Sequence, residues 1–160
     1  MNRFIRQILI FTLPIVLFFI TLELILINIP NDFIFKRDFM DLNSDKIEVL
    51  ILGNSHTYYG INPYFINKKT FNLAYPSQPL NYDFLLLKKY EKSLKKLKYL
   101  ILPIDYCSLY YKIENGSEKW RSKNYSIYYG LDSNLIQQDF EILHGRFSNN
   151  ISRAFNFFFS

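Results

Sequence analysis

A chain of 160 residues, 49% of them hydrophobic, has room for one packed domain and an anchor but not for two domains. Its formal charge of +5 would suit an anionic partner, yet the lysines belong to a composition loaded with Ile, Lys, Asn, Phe and Tyr, the residues of A/T-rich codons. No basic stripe interleaved with aromatics is present, so nucleic acid is not the expected partner, and the one cysteine, Cys107, excludes an internal disulfide framework.

Arg3 and Arg6 precede an apolar stretch from Ile8 to Ile29, long enough to cross a bilayer. Positive charge before the stretch and no comparable cluster immediately after it predict that residues 1–7 are cytoplasmic and the rest of the chain lies outside. A cleavable signal peptide would share the charged start. This stretch is longer than a signal core, however, and no small-x-small site or lipid-accepting cysteine follows it, so residues 8–29 read as an uncleaved signal anchor with the lipid bilayer as partner. Pro14 and Glu23 lie inside it; a membrane helix tolerates the proline, and Glu23 is near the outer end, so neither points to transport.

Residues 30–46 are polar, with Asp32, Lys36, Arg37, Asp38 and Asp41, and read as a juxtamembrane linker. The domain then spans 47–160. Ile47 to Leu52 is a continuous apolar run, as expected of a strand buried on both faces, and Gly53-Asn54 ends it. Ser55 to Asn67, with Gly60 and Asn62-Pro63, predicts a short irregular helix or two turns. Thr70 to Ala74 reads as a second strand stopped by Pro76. From Pro79 to Lys98, Tyr82, Leu86, Tyr90, Leu94 and Leu97 recur at three- and four-residue intervals, predicting an amphipathic helix whose lysines form a solvated face. Tyr99 to Leu102, ending at Pro103, is a third strand with the apolar character of the first. Alternation of this kind predicts an α/β layer with parallel strands and right-handed crossovers.

After Asp105 the alternation is lost. Residues 106–150 are rich in Tyr, Ser and Asn, with turns expected at Gly116, Gly130 and Gly145, and Cys107 reads as a buried, inert thiol. Asn115, Asn124 and Asn150 each begin an Asn-x-Ser triplet, which this composition produces by chance. The aromatic run at 155–160 has no turn or charge to close a domain and reads as a cut end.

Ser55 is the leading candidate for chemistry. It follows a buried strand directly, where a turn points a side chain out of the sheet and backbone N–H groups can receive an oxyanion. Its alternative role is that of a helix amino-cap. His56 is adjacent in sequence, so its side chain diverges from that of Ser55 and is placed to shape the turn or contact substrate. His144 is the other histidine, and Glu141 three residues before it would share its helix face, making a Ser55–His144–Glu141 relay conceivable. Asp105, at the end of the third strand, either meets substrate or caps a turn. No metal cluster or cofactor motif is present, and the chemistry requires none.

Three segments, Ile51-Leu52-Gly53-Asn54-Ser55-His56, Phe71-Asn72-Leu73-Ala74-Tyr75-Pro76-Ser77-Gln78 and Leu100-Ile101-Leu102-Pro103-Ile104-Asp105, resemble the membrane-anchored bacterial branch of the SGNH/GDSL hydrolase superfamily over about Lys46 to Tyr110. The resemblance implies a flavodoxin-like parallel three-layer α/β sandwich, with Ser55 as nucleophile and Asn54, His56, Asn72, Ser77, Gln78 and Asp105 around the oxyanion and substrate. The implied activity is that of a serine esterase or O-acyltransferase on an acylated cell-envelope glycan. Departures are specific. No glycine stands between Ala74 and Gln78, Pro103-Ile104-Asp105-Tyr106 replaces the family's Gly-x-Asn-Asp, and no Asp-x-x-His occurs. These departures predict an amino-terminal portion of such a domain, with His144 only a placeholder base. The alternative is a non-catalytic envelope protein or fragment.

Overall fold

Val49, Leu50 and Ile51 form β1 and are all buried, as their uninterrupted apolar sequence requires of a central strand. In the computed structural model, which describes residues 3–106, 108–131 and 147–159, β1 (Val49–Ile51) is flanked by β2 (Thr70–Asn72) and β3 (Tyr99–Ile101), both parallel to it, in the order β2-β1-β3. Leu50 lies opposite Phe71 on one side and Leu100 on the other. The strands are shorter than the apolar runs that predicted them. Pairing still continues beyond their ends, where Leu52 N donates to Ile101 O (2.9 Å) and Leu73 N to Ile51 O (2.8 Å). β3 does not share the burial of β1: Tyr99 is 54% and Leu100 40% exposed, because β3 is an edge strand with no described neighbour on its outer side.

Two connections join the strands. A short helix α3 (Ser55–Gly60) and a 3-10 turn at Pro63–Phe65 lead from β1 to β2, as the broken pattern at Gly60 and Asn62-Pro63 predicts. Helix α4 (Leu80–Tyr90) leads from β2 to β3 and buries Tyr82, Leu86 and Tyr90, with Leu94 buried beyond its end. The expected helix to Lys98 stops early. Ser93 Oγ donates to the Tyr90 carbonyl (2.8 Å), and the lysine-dense segment that follows would set like charges one turn apart.

The polar stretch expected to be a linker is instead helix α2 (Asp32–Asn43), followed by a 3-10 turn at Ser44–Lys46. Asn31 caps it, accepting from Ile34 N (3.0 Å). Met40 and Lys36 are buried on it, and two of its rings stack on the domain: Phe33 on Tyr75 (3.9 Å between centroids) and Phe39 on Phe71 (4.1 Å). Helix α5 (Ser122–Tyr129) packs against α2 and buries Tyr125, Tyr128 and Tyr129. Tyr82 stacks on Tyr125 at 4.0 Å, and the hydroxyls of Tyr75 and Tyr129 meet at 2.6 Å. Gly130, at φ +63°, closes α5 as expected of a turn glycine, with Gly130 N and Leu131 N capping the Ser126 and Tyr125 carbonyls. Sheet and helices together form one compact unit, Asn31–Ile136, which begins ahead of the expected boundary at 47.

A second unit, Met1–Pro30 with Gln137–Ser160, contains helix α1 (Arg3–Asn28) and helix α6 (Phe147–Phe159). The aromatic run read as a cut end is thus the last part of a helix, and it groups with α1 rather than with the sheet domain. Leu22, Leu26 and Ala154 bury one another, and Ile25 and Ile29 pack on them. α1 runs through Pro14 and is long and apolar enough to cross a membrane, with most of its large apolar side chains exposed. Asn124 and Asn150 are buried, which is incompatible with glycan acceptors. Cys107, Glu141, His144 and Gly145 lie outside the described residues.

Candidate functional site at the carboxyl end of β1

The chain leaves β1 through Gly53, which sits at φ +113°. A Cβ there would lie 2.4 Å from Pro103 Cγ and 2.8 Å from Thr57 Oγ1, so only glycine fits where the ends of β1 and β3 close on each other. Its N–H donates to Asp83 Oδ1 (2.7 Å) and its carbonyl accepts from Tyr75 N (3.1 Å). The turn is therefore tied to α4 and to the loop after β2.

Asn54 performs the capping that Ser55 offered. Its Oδ1 accepts from His56 N (3.0 Å), and its carbonyl accepts from Tyr58 N and from Thr57 Oγ1, both at 3.0 Å. Ser55 is consequently the first residue of α3, half-buried, with its hydroxyl bonded to no described residue. His56 is exposed, and its ring has no described partner either. The location is chemically favourable. The chain turns from β1 to β2 on one side and later crosses to β3 on the other, and α/β sheets gather ligands at that reversal, outside the carboxyl ends of the strands.

The other expected site residues are held by the fold itself. Asn72 Nδ2 donates to the Thr57 and Ile61 carbonyls (2.9 and 3.1 Å) while its Oδ1 accepts from Ala74 N (3.0 Å), bracing α3 against the end of β2. Ser77 takes φ +61° in a turn with Pro76 before it, closed by Gln78 N donating to Tyr75 O (3.1 Å). Gln78 is buried; its Nε2 donates to Asp83 Oδ1 (2.5 Å) and its Oε1 accepts from Tyr125 OH (2.9 Å). Asp105 is exposed at a local turn, its Oδ1 accepting from Ser108 N (2.6 Å) and its N–H donating to Ser108 Oγ (3.0 Å). None of these four contacts Ser55 through a described hydrogen bond.

Two residues that sequence reasoning passed over support the turn. Asp83 is buried under Gly53, and burial pushes its carboxyl up to about 6, against the opposing effect of the Gln78 and Gly53 donors. Its signal was an acid on the apolar side of an amphipathic helix, one residue after Tyr82. Lys36, also buried, donates to the Ala74 carbonyl (2.7 Å), pairs with Asp32 (3.5 Å) and lies over the rings of Tyr58 and Tyr75. Burial lowers its pKa, and Asp32 partly restores it.

Among the described residues, no cluster of three His, Cys, Asp or Glu could hold a metal ion. A depression lined by Phe39, Asn43, Lys46, Ile47, Lys69 and Thr70 lies at the amino ends of β1 and β2, away from Ser55. No family model, curated protein or solved structure matches this chain.

Proposed function

We propose that the chain is a membrane-anchored, extracytoplasmic domain of SGNH type that acts as a serine esterase or O-acyltransferase on an acylated cell-envelope glycan. The observation that carries the reading is the convergence of the three resembling segments. Gly53 to His56, Ala74 to Gln78 and Pro103 to Asp105 leave the carboxyl ends of three adjacent parallel strands, and Gly53 meets both Tyr75 and Pro103. The order β2-β1-β3 agrees with the start of a flavodoxin-like sheet, in which a further strand would pair with the open edge of β3. The positive φ of Ser77 agrees with a loop in which the family carries glycine.

In this reading Ser55 Oγ attacks the acyl carbon of an ester, its proton passes to a base, and backbone N–H groups at the start of α3 and in the Ala74–Gln78 loop receive the oxyanion. The alcohol leaves with a proton. Water then takes the acyl group in an esterase, or a glycan hydroxyl takes it in a transferase. His144, with Glu141, is the base this chain offers.

The second reading, a non-catalytic envelope protein, has its own support. No described histidine or carboxylate is bonded to Ser55, and Asn72, Gln78 and Asp105 are engaged within the fold. A serine without its base retains little acyl-transfer activity. Incubation of the detergent-solubilised full chain with p-nitrophenyl acetate separates the two. A burst of p-nitrophenol equivalent to the protein present, absent in Ser55→Ala, supports the enzyme; identical traces for both proteins support the alternative.

A further inference from the structure

Helix α6 buries only part of its apolar surface. Asn150 and Ala154 face inward, and Ala154 closes on Leu22 and Leu26 of α1. Phe147, Ile151, Phe155 and Phe158 recur at four-, four- and three-residue steps along one stripe and are 50, 37, 60 and 60% exposed. Asn149, Ser152 and Asn156 lie on the opposite side. The stripe is continuous with the exposed apolar surface of α1, because the Phe147 and Phe19 rings are 6.2 Å apart. The α1 residues that meet α6, Phe19, Leu22 and Leu26, lie about 3–14 Å along the helix axis from Asn28, within the ~15 Å hydrocarbon half-thickness of a bilayer.

We infer that α6 is a second membrane element, lying in the leaflet nearest Asn28 with its Phe147–Phe158 stripe against lipid chains and its Asn149–Asn156 side toward the headgroups. The inference rests on the reading of α1 as a membrane span. The stripe is the aromatic face; Asn149, Ser152, Arg153 and Asn156 lie away from it, and Phe157 and Phe159, 45 and 74% exposed, flank the two faces. If α1 spans the bilayer, the stripe sits at hydrocarbon depth, and a lipid surface is the occupant that follows from that position. The consequence is functional: the chain is held to the membrane at two places far apart in sequence, which restricts the distance from the bilayer at which it can meet substrate.

The test uses the full chain in phosphatidylethanolamine–phosphatidylglycerol vesicles, with the one native tryptophan removed by Trp120→Phe and a single tryptophan introduced elsewhere. Phe158→Trp and, as a second stripe position, Phe147→Trp are expected to lose about half their emission to phospholipids brominated on the acyl chain. Asn149→Trp is expected to be quenched by aqueous acrylamide and not by bromolipid. Phe11→Trp reports on α1 separately. Lipid quenching at Phe11→Trp with acrylamide quenching at both stripe positions would overturn the inference and leave the anchor intact. Stripe positions protected from both quenchers would also overturn it, assigning the stripe to a protein contact such as a second copy. Acrylamide quenching at Phe11→Trp would remove the anchor and the inference together.

Discussion

Gly53 and Ser77 occupy the same unusual half of backbone space with different chemistry. At Gly53 the positive φ coincides with a position where a Cβ would enter the Pro103 ring. Gly53→Ala is therefore expected to cost about 3 kcal/mol or more, from backbone strain and overpacking combined, read as a shift in the urea midpoint. Ser77 carries the strain without the crowding. Ser77→Gly should relieve about 1–2 kcal/mol of left-handed strain against about 0.5–1 kcal/mol of added chain entropy, a net gain near 0.5 kcal/mol in the same assay. Asp83 adds a pH dependence. Its carboxyl is raised to about 6 in the folded protein from 3.8, so the folded state holds a proton that the unfolded chain releases. Stability from this group is full below pH 4, falls as pH rises to about 6, and is flat above, with a total of up to about 3 kcal/mol. Urea melts at pH 4 and pH 7 should show that fall, and Asp83→Asn, which keeps an oxygen for Gly53 N–H, should abolish it. An unchanged slope in Asp83→Asn would assign the dependence to other groups. At this scale the sequence announced the turn itself, because Gly53 follows an apolar strand. Asp83 does carry a local signal, an acid beside Tyr82 on the apolar side of α4, but nothing local names its partner, the Gly53 N–H thirty residues away.

The elements that were legible are those whose burial is simple. β1 reads directly because both its faces are covered by apolar side chains, and α4 reads directly up to Tyr90 because one face alternates with lysine. α2 and α5 were not legible for a shared reason: their inward faces are aromatic or charged. α2 presents Phe33, Lys36 and Met40 inward among acids and basic residues, and the buried Lys36 disguises the stripe as a polar linker. α5 buries tyrosines among Ser122, Lys123, Asn124 and Ser126, so no hydrophobic period stands out. The edge character of β3 was hidden too, since an apolar strand sequence does not record whether anything covers it. The reassignment of α2 can be checked directly. Met40 is fully buried, and Met40→Ala should lower the stability of the sheet domain by about 3 kcal/mol. A linker residue would change it by less than about 0.5 kcal/mol.

At the scale of the whole chain, two units divide the work. One supplies apolar helices, α1 and α6, and the other a parallel sheet whose strand ends assemble the Ser55 turn. The candidate site was legible as a set of strand-end motifs. What the motifs could not reveal was that Asn54 takes over capping, so the Ser55 hydroxyl is left without a described partner, while Asn72, Gln78 and Asp105 are committed to bracing loops. In the proposed enzyme, catalysis would rest on Ser55 and on a base drawn from His144. If His144 serves, His144→Ala should slow acylation by about 10²–10⁴-fold while leaving the urea midpoint of the sheet domain in place. The most direct measurement is peptide mapping by mass spectrometry after treatment of the full chain with a fluorophosphonate. One phosphonylated peptide is expected, carrying the adduct on Ser55 and lost in Ser55→Ala. An adduct on any other residue, or labelling that persists unchanged in Ser55→Ala, would contradict it.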